Sequence, residues 1–127
     1  MQALNKTAEK VFRKLTEGMT KVGDHRTVEN NKSFMAVHVE VVGQTERGLL
    51  ISIAHYYEQN GDLMRDPDVV FLVDERAYPI SYRLDGLGLN QEAAHIQDGV
   101  WMVCLKMRAD ICRFCNQWMK NIKSQQF

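Results

Sequence analysis

No apolar run in this 127-residue chain approaches the ~20 residues a bilayer-spanning helix needs, so no membrane partner is expected. The opening MQALNKTAEK holds no hydrophobic core of a secretory leader. There are only three cysteines, an odd number, which suits a reducing cytoplasm better than a disulfide framework. Proline occurs twice, and no repeat, low-complexity tract or Pro/Ser-rich linker divides the chain. A single domain over residues 1–127 follows, long enough to bury roughly two-thirds of its extended-chain surface. The sequence also lacks G-x-S-x-G, H-E-x-x-H and the phosphate-binding P-loop, and no cofactor is expected. Net charge is zero. That argues against extended mimicry of DNA and against nucleic acid as the sole partner, because non-specific DNA binding rests on many Lys/Arg–phosphate contacts.

What charge there is lies unevenly. Residues 1–32 carry seven Lys/Arg against four Asp/Glu, residues 33–103 four against eleven, and residues 104–127 five against one. Basic ends flank an acidic middle, a pattern that suits an anionic or oppositely charged partner and also ordinary solvated helix faces.

Apolar periodicity sets the fold class. Leu4, Ala8, Val11, Phe12, Leu15 and Met19 recur at helical spacing, ended by Gly18 and Gly23. From Ser33 the period becomes two: Met35, Val37, Val39 and Val41 alternate with Ala36, His38 and Glu40. LLISIAHYYE, DVVFLVDE and AYPISYRLD read as three more strands. A five-residue loop of Gly43–Arg47, or six residues with a bulge, would keep the first two apolar rows on one side. Pro79 marks the fourth strand as an edge. Residues 85–99 read as loop, with Asp98-Gly99 a turn, and VWMVCLKM suits either a short strand or the start of the last helix. That helix carries Ile111, Phe114, Cys115, Trp118, Met119 and Ile122 on one stripe. The order α-β-β-β-β-α predicts an α+β fold: an antiparallel four-stranded meander with both helices on one face.

Few residues suggest chemistry. GDLMRDPD places Asp62, Asp66 and Asp68 within seven positions, hard oxygen donors of the kind Mg²⁺ or Ca²⁺ takes, but without EF-hand spacing. As a hairpin connection the same letters are ordinary, Asn60-Gly61-Asp62 turning and Asp66-Pro67 extending. Cys112 and Cys115 form a C-x-x-C inside a helix, where packing competes with thiol chemistry or with a zinc ion shared with Cys104 and His95. His55 falls on the apolar sheet face, His38 on the other. That other face, with Ala36, Val42, Leu50, Ala54, Tyr56, Val70 and Leu72 beside Ser52 and His38, is a semi-apolar patch. Such a patch calls for a cover, such as residues 86–100, or for a partner. A homodimer through this face or through residues 78–84 is compatible with both.

ISIAHYYEQNGDLMRDPDVVFLVD, PISYRLDGLGLNQEA and FCNQWMKNIKSQQF together resemble an uncharacterised bacterial domain family of small proteins from plasmids, phages and integrated elements. The resemblance covers most of residues 49–127 and implies no established activity. Its context implies a non-enzymatic protein that binds a host or element-encoded complex, such as an inhibitor of a restriction or CRISPR system. Asp62, Arg65, Asp66, Asp68, Tyr56 and His38 are the candidate binding residues. The alternative is a small metal-dependent or thiol-based enzyme using Asp62/Asp66/Asp68 or Cys112/Cys115.

Overall fold

The computed structural model describes residues 1–29 and 33–126. Helix α1 spans Lys6–Leu15, and Asn5 caps it by accepting from the Ala8 N–H at 2.8 Å. Then come strands β1 (His25–Val28), β2 (Val37–Gln44), β3 (Leu49–Gln59), β4 (Asp62–Val73) and β5 (Ala77–Leu84). A 3-10 turn at Asp85–Leu87 leads to β6 (Leu89–Glu92), β7 (Ala94–Gln97), β8 (Val100–Val103) and helix α2 (Leu105–Gln126). Phe127, the last residue of the quoted helix motif, lies outside the described residues.

The α+β class and the antiparallel meander hold, but the sheet has six strands, ordered β1 to β6, with β7–β8 as a separate ribbon. The four-strand reading missed β1 and β6 because HRTV and LNQE carry one apolar residue each, too little for a period-two signal. Residues 85–99, read as loop, hold β6, β7 and the 3-10 turn. The Asp98-Gly99 turn stands where expected, both residues at positive φ (51° and 78°), and VWMV is strand while the helix begins at Leu105.

Both helices dock on one sheet face. Val37, Val39 and Val41 of β2, Ile51 and Ile53 of β3, and Val69 and Phe71 of β4 form one buried cluster with Leu4, Phe12, Leu15, Trp118, Met119 and Ile122. Each such side chain gains about 1.5–3 kcal/mol on leaving water. The β2–β3 rows face the same way through an even loop and a bulge, the loop being shorter than expected: strand pairing runs to Gln44↔Leu49, and the bulge at Val42 restores the parity.

A second bulge, at Ile80, breaks the alternation assumed for β5. Tyr82 packs with the helix-side core while Tyr78 and Ile80 join a smaller cluster on the opposite face. The edge assignment of residues 78–84 is also corrected. β6 pairs with Ser81–Leu84, the Ala93 N–H bonds the Ile80 carbonyl and the Leu4 N–H the Ala77 carbonyl, so β5 is not an open edge along most of its length.

The ribbon answers part of the question raised by the semi-apolar face. Ala94, Trp101 and Val103 fold over Leu72 and Ile80, with Leu50, Val70, Tyr78 and Met1 around them. The cover reaches only this end. Among the described residues, nothing of the ribbon reaches the other end of the same face, over β1–β4.

Candidate functional site

GDLMRDPD is less of a turn than its letters suggest. Asn60 and Gly61 alone make the two-residue turn, both at positive φ (53° and 83°), with Gln59 and Asp62 closing it. From Asp62 onward the motif is strand β4, interrupted at Asp66-Pro67, a cis peptide, by a bulge opposite His55. Strand alternation and that bulge send the acids apart. Asp62 is exposed at the hairpin tip. Asp66 lies on the helix side, its charge felt by His55 and Tyr82. Asp68 is on the opposite face and accepts from the Ser52 hydroxyl at 2.5 Å. Three carboxylates on different sides do not form a cage. Among the described residues no group of three His, Cys, Asp or Glu side chains is placed to hold a metal ion.

Arg65, a candidate from the same motif, is engaged within the chain. Its backbone N–H and its Nε both donate to Asp85 Oδ2 at 2.9 Å. These two bonds, backbone first, hold the Asp85 carboxyl below its ordinary range. The pair ties the hairpin to the 3-10 turn.

On the open end of the sheet face the strand register gathers a polar strip. Thr27 pairs with His38, His38 with Ala54, Ala54 with Asp68, and Asp68 with Arg83. The neighbouring row runs His25, Glu40, Ser52, Val70 and Ser81. A groove of about 310 Å³ lies here, lined by His25, Thr27, His38, Glu40, Ser52, Tyr56 and Leu63 among others. His38 meets the Tyr56 ring edge-on at 5.1 Å, and its Nδ1 is 3.3 Å from the Thr27 hydroxyl. Burial, then the charges of Asp68 and Glu40, push the Tyr56 phenol up, so it stays protonated and can donate. Leu63 stands at the rim, 65% exposed.

Of the sequence candidates, His38, Tyr56, Asp68 and Arg65 therefore share one surface, Arg65 opposite Tyr56 and tied to Asp85, while Asp62 belongs to the hairpin tip and Asp66 to the helix side. Sequence reasoning did not reach His25, Thr27, Leu63 or Arg83. Arg83 has its Nε buried with no hydrogen-bond partner in the described structure. These four arrive through cross-strand register, which a period-two pattern does not encode.

The strip offers donors, acceptors and apolar surface. Ser52 gives its proton directly to the Asp68 carboxylate, and the Thr27 hydroxyl and His38 Nδ1 form a hydroxyl–imidazole contact at 3.3 Å on the exposed rim of the sheet. The histidine on the helix side of the sheet, His55, is locked. His55 is 6% exposed, its Nδ1 bonds the Ala36 carbonyl at 3.0 Å, and its Nε2 accepts from Trp118 Nε1–H at 3.1 Å. That fixes the neutral, Nδ1-protonated tautomer. Burial is the main cause that lowers its pKa, against the Ala36 carbonyl and Asp66, which favour the cation.

A pH dependence follows. A folded-state pKa below the unfolded value means the native form binds fewer protons, so stability falls as pH drops below about 6.5. Thermal unfolding across pH 7.5 to 5 should show a falling midpoint, and His55→Leu should flatten that slope. An equal slope in the variant would place the effect elsewhere. The carboxylates held low, Asp24, Asp74 and Asp85, act in a separate window below about pH 4.

The cysteines are built into the packing. Cys112 and Cys115 lie in the second and third turns of α2, away from its N-terminus. The Cys112 thiol donates to the Ala3 carbonyl at 3.3 Å. Burial pushes both thiols up, Cys115 well above its ordinary value, the opposite of thiolate activation. Cys104 and His95 are exposed, on the loop before α2 and on β7.

No helix among the described residues is long and apolar enough to cross a membrane. No curated protein and no solved structure matches the chain. The profile of the family described as a domain of unknown function, DUF6908, matches residues 6–127, so the chain belongs to that family.

Proposed function

We propose that this chain is a non-enzymatic protein-binding accessory of a bacterial mobile genetic element, acting on a host defence complex of the restriction or CRISPR type. The observation that carries the binding role is the half-covered sheet face. The β7–β8 ribbon seals Leu72 and Ile80, yet the adjoining groove of His38, Tyr56 and Leu63 remains open. An amphipathic aromatic, an exposed leucine and polar side chains on one sheet face are the composition of a recognition patch. The mobile-element and anti-defence parts of the proposal rest on the resemblance of the YYEQNGDLMRDPD and NQW segments.

The test is transformation of a host carrying an active restriction or CRISPR system, with and without the protein. Expression should raise plasmid establishment, and Tyr56→Ala with Leu63→Asp, on a chain that still melts cooperatively, should abolish the rise. No change with the wild-type chain against either class of system would remove the anti-defence reading. An unchanged rise in the double variant would move the binding site off this face.

A further inference from the structure

We infer that the cleft between α1 and the end of α2 is a second interaction site, which takes an acidic, amphipathic segment of a protein partner. The cleft measures about 440 Å³ and is lined by Lys6, Thr7, Lys10, Val11, Lys14 and Lys123. Lys6, Lys10 and Lys14 follow one another at four-residue steps, about 6 Å apart along α1, and Lys123 of α2 faces them. Val11, 5% exposed, forms an apolar floor. Among the described residues no carboxylate lines the cleft.

The charge pattern within the molecule sets this cleft apart. All four ion pairs among the described residues use arginine: Arg47–Asp74, Arg65–Asp85, Arg76–Glu9 and Arg113–Asp110. Lys6, Lys10 and Lys123 have no such pair there. Glu9, on the same helix, is turned away to Arg76 and to the Ala77 N–H. Convergent ammonium groups repel one another, and an anionic ligand relieves that repulsion while gaining steering from it.

The anion is best matched by carboxylates on an apolar backbone. Lysine stems and Val11 offer apolar contact, and the flexible ammonium heads reach outward from it. A nucleic-acid strand would want an aromatic platform or arginine forks, and among the described residues neither lines the cleft. Beyond the cleft it would also run onto a chain whose middle is strongly acidic.

The test uses the full chain and three fluorescent probes of equal charge: a helical peptide with Glu and Leu on one face, an all-Glu peptide, and oligothymidylate. Anisotropy at low salt should rank the amphipathic peptide tightest, with binding weakened by added salt. Lys6→Glu/Lys10→Glu/Lys123→Glu should weaken it by about tenfold or more, and the milder Lys→Ser triple variant serves if the first does not fold. Oligothymidylate bound as tightly as the peptide, equal binding by the folded variants, or no peptide binding at all would each overturn the inference. Tyr56→Ala should leave peptide binding unchanged, which separates this site from the sheet-face groove.

Discussion

Phe71→Ala should lower the unfolding free energy by about 3–5 kcal/mol, the largest loss expected from a single truncation here. Phe71 sits on the central β4 strand with no solvent exposure, and its ring lies 4.8 Å from that of Phe12 on α1. Removing it deletes a sheet–helix aromatic contact and opens a void that rigid strands on both sides close poorly. The lost area and the residual cavity therefore add. Denaturant melts check it. A midpoint shift equivalent to less than about 1 kcal/mol would mean the core collapses around the gap, contrary to its close packing.

Gly48→Ala should cost about 3 kcal/mol, at the upper end for overpacking, for a reason the sequence conceals. A Cβ at residue 48 would stand 2.1 Å from the carbonyl oxygen of Val73 and 2.9 Å from its carbonyl carbon. Both are backbone atoms of β4, so no side-chain rotation relieves the overlap. The strand end must move, and with it the Arg47–Asp74 pair next door. Thermal melts of the variant, with Gly86→Ala as comparison, give the measure. There the added Cβ meets the Tyr57 hydroxyl, the far end of a side chain that can swing aside. Equal losses at both positions would contradict the distinction between backbone and side-chain obstacles.

Long amphipathic segments were legible from composition and period alone: α1, α2 and the apolar rows of β2, β3 and β4 stand where alternation put them. Polar or very short strands were not. His25–Val28 and Leu89–Glu92 are strands because the neighbouring edge offers them hydrogen bonds, a cause outside their own residues. Bulges were the second source of error. At Val42, Ile80 and Asp66-Pro67 one extra residue flips the side of everything after it, and nothing in the letters announces the first two. The same effect governed the site. His38 and Tyr56 were readable as residues of the second face, but their company of Thr27, Leu63 and Arg83 depends on register. The aspartates of GDLMRDPD looked like a cluster only while they were counted along the chain.

The start of the chain is stitched to its distant parts. The Leu4 N–H bonds the Ala77 carbonyl, the Asn5 N–H bonds Asn116, and the Cys112 thiol bonds Ala3. The last two span more than a hundred residues and close very long loops, so their entropy is lost before their enthalpy is gained. Helix α1 is thus among the last elements of the domain to find its seat.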